Sequence, residues 1–145
     1  MEKYFRKNKN MKKIFPQLMR AFFPPFLLYL FQYLAEIFFN IYFRYPNFDI
    51  PMHFLGGVTM AMTASALLRI AEEQKWFVIK KKSVSLLLIV MFVVFVAVLW
   101  EFHEFLFDQF LGTRTQLSNF DTMKDLFLGM SGSSLAVIFL ISKKN

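Results

Sequence analysis

The sequence predicts an all-α, polytopic membrane protein, with four transmembrane helices arranged as two helical hairpins and both termini on the cytoplasmic side. Three observations carry this expectation. The 145 residues are 57% apolar and 19% aromatic, with 21 Phe, against the roughly 45–50% apolar content of an average soluble domain. The 19% that are charged are gathered in blocks between long apolar runs, as in a chain that crosses a bilayer several times. The basic residues fall in alternate blocks, and loops rich in Lys and Arg stay on the cytoplasmic side. The same composition argues against nucleic acid as the partner of a +7 chain, and the absence of Cys removes disulfide frameworks, thiolate nucleophiles and thiolate metal sites.

Residues 1–20 form a basic cytoplasmic or interfacial segment with seven Lys or Arg against one Glu. They are suited to anionic lipid, and 14–23 are able to lie in the interface. The apolar stretch 21–43 is too long for a signal-peptide core and lacks a small-residue cleavage pattern, which predicts a retained first span. Pro24 and Pro25 place the start of its regular helix, giving a span of about 24–43. A polar turn at 44–51 leads to a second span, about 52–71, rich in small residues including Gly56, Gly57, Ala61 and Thr63. The basic loop 72–83 precedes a third span at about 84–107, nearly free of polar side chains until Trp100 and then acidic. A second polar connection, 108–120, precedes the fourth span at about 122–142, for which Asp121 is the expected N-cap and which again has a small-residue face (Gly129, Gly132, Ser133, Ala136). Residues 143–145 complete a cytoplasmic tail. This topology puts 14 of the 17 basic residues on the cytoplasmic side and leaves Arg44, Arg114 and Lys124 outside.

The carboxylates distribute oppositely. Glu36, Asp49, Glu101, Glu104, Asp108, Asp121 and Asp125 fall toward the outer ends of the helices. An ionisable group within a span is expensive, so it normally faces the bundle interior and marks a site. Asp49 and His53 are i and i+4, Glu101, Glu104 and Asp108 are i, i+3 and i+7, and Asp121 and Asp125 are again i and i+4, so each set shares one helix face. Gln32, Glu36 and Asn40 make a polar stripe on the first span. The run from Asp49 through His53 to Gly56 echoes that from Asp121 through Asp125 to Gly129 with an offset of one residue, which suggests two copies of a hairpin.

Clustered carboxylates with one His and no Cys suit a hard or borderline divalent cation, Mg²⁺, Mn²⁺, Ca²⁺ or Zn²⁺. The candidate metal ligands are Asp49, His53, Glu101, Glu104, Asp121 and Asp125. Glu101, Glu104 and Asp125 are the candidate catalytic groups, and Arg44, Arg114 and Glu36 the candidates for holding a headgroup. Simpler roles compete: caps for Asp49 and Asp121, an interhelical hydrogen bond for His53, and a salt bridge from Glu36 to Lys124 or Arg44. His103 lies on a different face from Glu101 and is set aside. Gly129-Met130-Ser131-Gly132 matches the serine motif of rhomboid-type intramembrane proteases, but no His follows it, and helix packing is its expected role. Membrane phosphatases of the phosphatidic-acid type are disfavoured, because neither His follows Ser-Gly.

Asp49-x-x-x-His53-Phe-x-Gly-Gly57, Trp100-Glu101-Phe-x-Glu104 and Asp121-Thr-x-x-Asp125-x-x-x-Gly129 together resemble the VanZ-like group of small bacterial membrane proteins and its YjdF-like relatives. The resemblance covers about residues 44–140; the first span matches only in kind. It implies a multi-pass protein of the bacterial plasma membrane. The best-known members are associated with resistance to teicoplanin-type glycopeptides. The loop Leu111-Gly-Thr-Arg114-Thr-Gln116 departs from the longer, glycine- and proline-bearing loops of VanZ itself, so the acidic motif positions are carried over and the substrate is not. The leading functional expectation is a divalent-cation-dependent enzyme or binder acting at the outer leaflet on a lipid-linked or cell-envelope headgroup, among membrane lipids. The alternatives are a proton-linked transporter or channel protomer and a non-catalytic interaction subunit. The sequence leaves the oligomeric state open.

Overall fold

The computed structural model describes residues 2–112 and 115–142 and is helical throughout, without strands among them. The elements are α1 (Glu2–Phe39), α2 (Ile41–Arg44), a 3₁₀ turn (Pro46–Phe48), α3 (Asp49–Glu73), α4 (Lys82–Leu111) and α5 (Asn119–Ser142). Among the described residues, four stretches are long and apolar enough to cross a membrane: Lys13–Phe39, Pro46–Glu73, Lys82–Leu111 and Asn119–Leu140.

The first helix does not begin at Pro24. It runs through Pro16, Pro24 and Pro25 without a break. Pro25 has no N–H to give the carbonyl of Ala21, four residues earlier. The Thr63 hydroxyl of α3 supplies the missing donor at 2.8 Å, in a fully buried contact. A neighbouring side chain thus satisfies the backbone group that proline frees, which is how lipid-embedded helices tolerate proline.

Local chemistry sets the other ends. Asn40, in the left-handed region (φ 47°), stops α1. The Glu36 carboxylate accepts the Tyr42 N–H at 3.1 Å and satisfies an orphan donor of α2. At the end of α3 the chain turns through Lys75 (φ 57°), with Trp76 N–H bonded to the Ala71 carbonyl and Lys75 N–H to that of Glu72, a Schellman closure. Gly112 (φ 68°) closes α4. At the start of α5, Asp121 is not the N-cap expected from sequence. Ser118 Oγ accepts the Asp121 N–H, and the Asp121 carboxylate reaches back to the Leu117 N–H, a capping-box variant that moves the cap three residues earlier.

Small residues fill the interior. Ala61 and Ala64 of α3, Ile89 and Val93 of α4, and Ala136 and Val137 of α5 form the core, while large side chains such as Phe38, Phe95 and Phe127 face outward. This inverts the soluble pattern and suits a hydrocarbon surround, where helices associate by close backbone packing. The closest seam is α3 against α5. A methyl group at Gly57 would strike the Gly129 backbone, and one at Gly132 would strike the Phe54 carbonyl. α1 packs on α3, and α4 on both α3 and α5.

Candidate functional site

The α3–α5 seam brings the first turns of these two helices together, and the last turns of α4 complete the cluster. Asp49 does not cap α3. Its Oδ1 instead lies 3.1 Å from His53 Nε2. His53 Nε2 is also 3.9 Å from Asp125 Oδ2. Ligand-type atoms of Asp49, His53 and Asp125 fall within 4.8 Å of one another, and so do those of His53, Glu101 and Glu104. His53 belongs to both sets, so four of the other five candidate metal ligands converge on its imidazole. The sixth, Asp121, is tied in through Lys124, whose Nζ is 2.6 Å from Asp121 Oδ1, 3.4 Å from Asp125 Oδ1 and 3.6 Å from Asp49 Oδ2.

The two halves are compensated differently. The Asp49–Asp121–Asp125 side has Lys124, whose side chain is 28% exposed. The Glu101–Glu104 side has neutral donors: Gln116 Nε2 at 3.4 Å from Glu101 Oε2, and Trp100 Nε1 at 2.9 Å from Glu104 Oε1. Glu101 is 7% exposed and Asp125 3%. Asp125 Oδ1 is buried and accepts no hydrogen bond among the described residues, Lys124 being its ionic neighbour only. Five carboxylates therefore surround one lysine and one histidine.

Asp108, on the same face of α4, positions the loop that supplies Gln116. Its carboxylate accepts the N–H groups of Thr115 and Gln116 and the Thr115 hydroxyl, each at 2.9 Å. Gln116 Nε2 is thereby directed to Glu101 and to Thr122 Oγ1 at 2.8 Å. Tyr42 of α2, between two spans, is half-buried, and its hydroxyl has no hydrogen-bond partner among the described residues. Burial, then the nearby Asp49 and Glu104 carboxylates, push its phenol above the usual range, so it stays a neutral donor.

The remaining candidates lie elsewhere. Glu36 caps α2 and forms no ion pair with Lys124 or with Arg44, which is exposed. Arg114 lies outside the described residues. His103 stacks between Trp100 and Phe107, with ring centroids 5.3 and 4.1 Å away. The Ser131 hydroxyl donates to the Phe127 carbonyl of its own helix, in keeping with a packing role for the Gly129–Gly132 motif. Sequence reasoning missed Lys124, Gln116, Trp100, Thr122 and Tyr42 as neighbours of the cluster. The spacings Trp100/Glu104 (i, i+4) and Asp121/Lys124 (i, i+3) carried a signal for two of them.

The structure also changes the internal echo. The glycine that matches Gly129 in position is Gly57, which touches it, and not Gly56. Asp49, His53, Gly57 and Asp121, Asp125, Gly129 then share i, i+4, i+8 spacing with no offset.

The family described as predicted membrane protein (DUF2238) matches residues 18–145. No curated protein and no solved structure matches the chain.

Proposed function

The chain belongs to the DUF2238 family of predicted membrane proteins, and from that premise we propose that it binds a lipid-linked or cell-envelope headgroup at the outer leaflet through a divalent cation held by the acidic cluster. Both termini are cytoplasmic in this reading, by the Lys and Arg distribution, in a multi-pass protein of the bacterial plasma membrane. The observation that carries it is the sharing of His53 by two carboxylate sets, each within 4.8 Å. Five carboxylates against one lysine and one histidine leave an excess of negative charge that a low-dielectric site does not tolerate. A bound cation removes it and offers open coordination positions to phosphate or carboxylate oxygens.

The cation belongs on the Glu101–Glu104 side of His53, because Lys124 already serves Asp49, Asp121 and Asp125. Trp100 and Gln116 orient the two glutamates as second-layer donors, the usual support of a metal ligand. Asp125, buried and with an Oδ1 that accepts no hydrogen bond among the described residues, is placed to take or give a proton at the bound headgroup. The VanZ-like resemblance supplies the same acidic positions and no substrate. A proton-linked path is less well supported. α4 presents no polar side chain between Ser85 and Trp100, and the hydroxyls of Thr59 and Thr63 are turned onto backbone carbonyls.

Metal analysis of the purified protein tests the proposal, with Glu101→Gln and Asp125→Asn in parallel. The expected result is a bound divalent metal in the wild type that is lost from Glu101→Gln. Unchanged metal content in both variants overturns it.

A further inference from the structure

A cavity of about 430 Å³ opens beside the acidic cluster, walled by α1, α3 and α4 with a contribution from α5. Its polar end is formed by His53, Asp125, Gln32 and Trp100, and its deep end by apolar residues such as Phe22 and Val93. Along α3 it extends from Met52 to Met60, about 12 Å at the helical rise of 1.5 Å per residue. Every lining residue belongs to a membrane-spanning stretch. α1 follows α3 and forms no extended seam with α4; Tyr29 reaches across edge-on to Trp100, with ring centroids 6.0 Å apart. The cavity therefore has a lateral side between α1 and α4.

We propose that this cavity takes one hydrocarbon chain of a membrane lipid, entering between α1 and α4, with its headgroup at the His53–Asp125 end. The headgroup part rests on the cation reading above; the chain part rests on the cavity. Two features select this occupant. The walls are apolar, so a chain of water molecules would find few partners. The apolar wall runs into a polar end at which His53 and Asp125 both line the cavity, so one amphiphile meets both.

Gly56 provides the test. It lines the cavity, and a Cβ built on it meets nothing within 4 Å, so a side chain at position 56 starts into open space and Gly56→Phe is expected to fill the cavity. The full chain is placed in vesicles of phosphatidylethanolamine and phosphatidylglycerol containing a trace of phosphatidylglycerol with a diazirine on one acyl chain, illuminated and mapped by peptide analysis. The expected result is labelling of Val93, which is 2% exposed and reachable only from within, as well as of outward-facing Phe95, 61% exposed. In Gly56→Phe the Val93 label falls to background and the Phe95 label remains; a bundle that came apart would instead expose Val93 to lipid and raise its label. Gly56→Leu gives the same readout with a smaller side chain. Absence of the Val93 label in the wild type, or its persistence in both variants, overturns the proposal. Failure of the cation reading registers separately in the metal content of Glu101→Gln, which the labelling pattern does not depend on.

Discussion

Gly57 of α3 lies against Gly129 of α5 so closely that a side chain at position 57 would occupy the space of the Gly129 carbonyl. This contact sits two helical turns below Asp49 and two below Asp121, so it fixes how near the two acidic first turns come. Glycine is required here for approach and not for an unusual φ. Gly57→Ala and Gly132→Ala must force the helices apart, because what they strike is backbone. Each is expected to cost about 1–3 kcal/mol and to lower the thermal unfolding midpoint in detergent. Gly56→Ala, with open space around its Cβ, is expected to leave the midpoint unchanged or raise it, since Ala favours helix over Gly. Equal midpoints for Gly56→Ala and Gly57→Ala would contradict the α3–α5 seam.

The orientation can be read directly because the chain contains no Cys. Val78 lies in the basic connection between α3 and α4, and Leu117 in the loop before α5; both are exposed. With cytoplasmic termini, Leu117→Cys reacts with a membrane-impermeant maleimide on intact cells, whereas Val78→Cys reacts only after permeabilisation. The reverse pattern would place the acidic cluster on the cytoplasmic side and remove the outer-leaflet reading.

Hydropathy makes the four spans legible because a bilayer demands an unbroken apolar length, and helical spacing makes the carboxylate faces legible because i, i+3 and i+4 residues must share a side. Most of what fails depends on a second helix. Pro24 and Pro25 look like a helix start until Thr63, 38 positions beyond Pro25 in the chain, restores the lost donor. Lys124 looks like a stray outer cation until α3 brings Asp49 to it. Asp121 and Ser118 rank alike as caps by residue type; the Ser-x-x-Asp spacing distinguishes them, because an acidic residue three positions on is what reaches back to the preceding N–H. The echo was legible, and so was its register: Gly57 stands eight residues after Asp49 as Gly129 does after Asp121, and the contact between the two glycines agrees with that alignment.

Lys124 is the counter-charge of three aspartates. Lys124→Met leaves Asp49 and Asp125 with His53 alone as their cationic neighbour among the described residues. A fully buried pair would lose about 3–5 kcal/mol; with the lysine side chain 28% exposed, the expected loss is nearer about 1–2 kcal/mol. Lys124→Met/Asp49→Asn is expected to recover part of it, which a double-mutant cycle on unfolding free energies measures as coupling. Mn²⁺ is expected to raise the midpoint of Lys124→Met more than that of the wild type, because the cation then has a second vacancy to fill. Independent, additive effects of the two substitutions would show that Lys124 does not hold Asp49.

The contact between Thr63 and the Ala21 carbonyl yields a sharper cycle. Thr63→Val keeps the shape and removes the donor, leaving a buried carbonyl that Pro25 cannot serve. Interhelical hydrogen bonds in membrane proteins average about 0.6 kcal/mol and reach about 1.7; the buried and otherwise unserved acceptor puts this one toward the upper figure. Pro25→Ala restores an N–H that bonds Ala21 within α1 itself, so in that background Thr63→Val should cost little. Unfolding free energies of the wild type, both single variants and the double variant decide the matter. An equal cost of Thr63→Val in the two backgrounds would mean that the hydroxyl is not the substitute for the proline's missing donor, and that α1 passes through Pro25 by some other compensation.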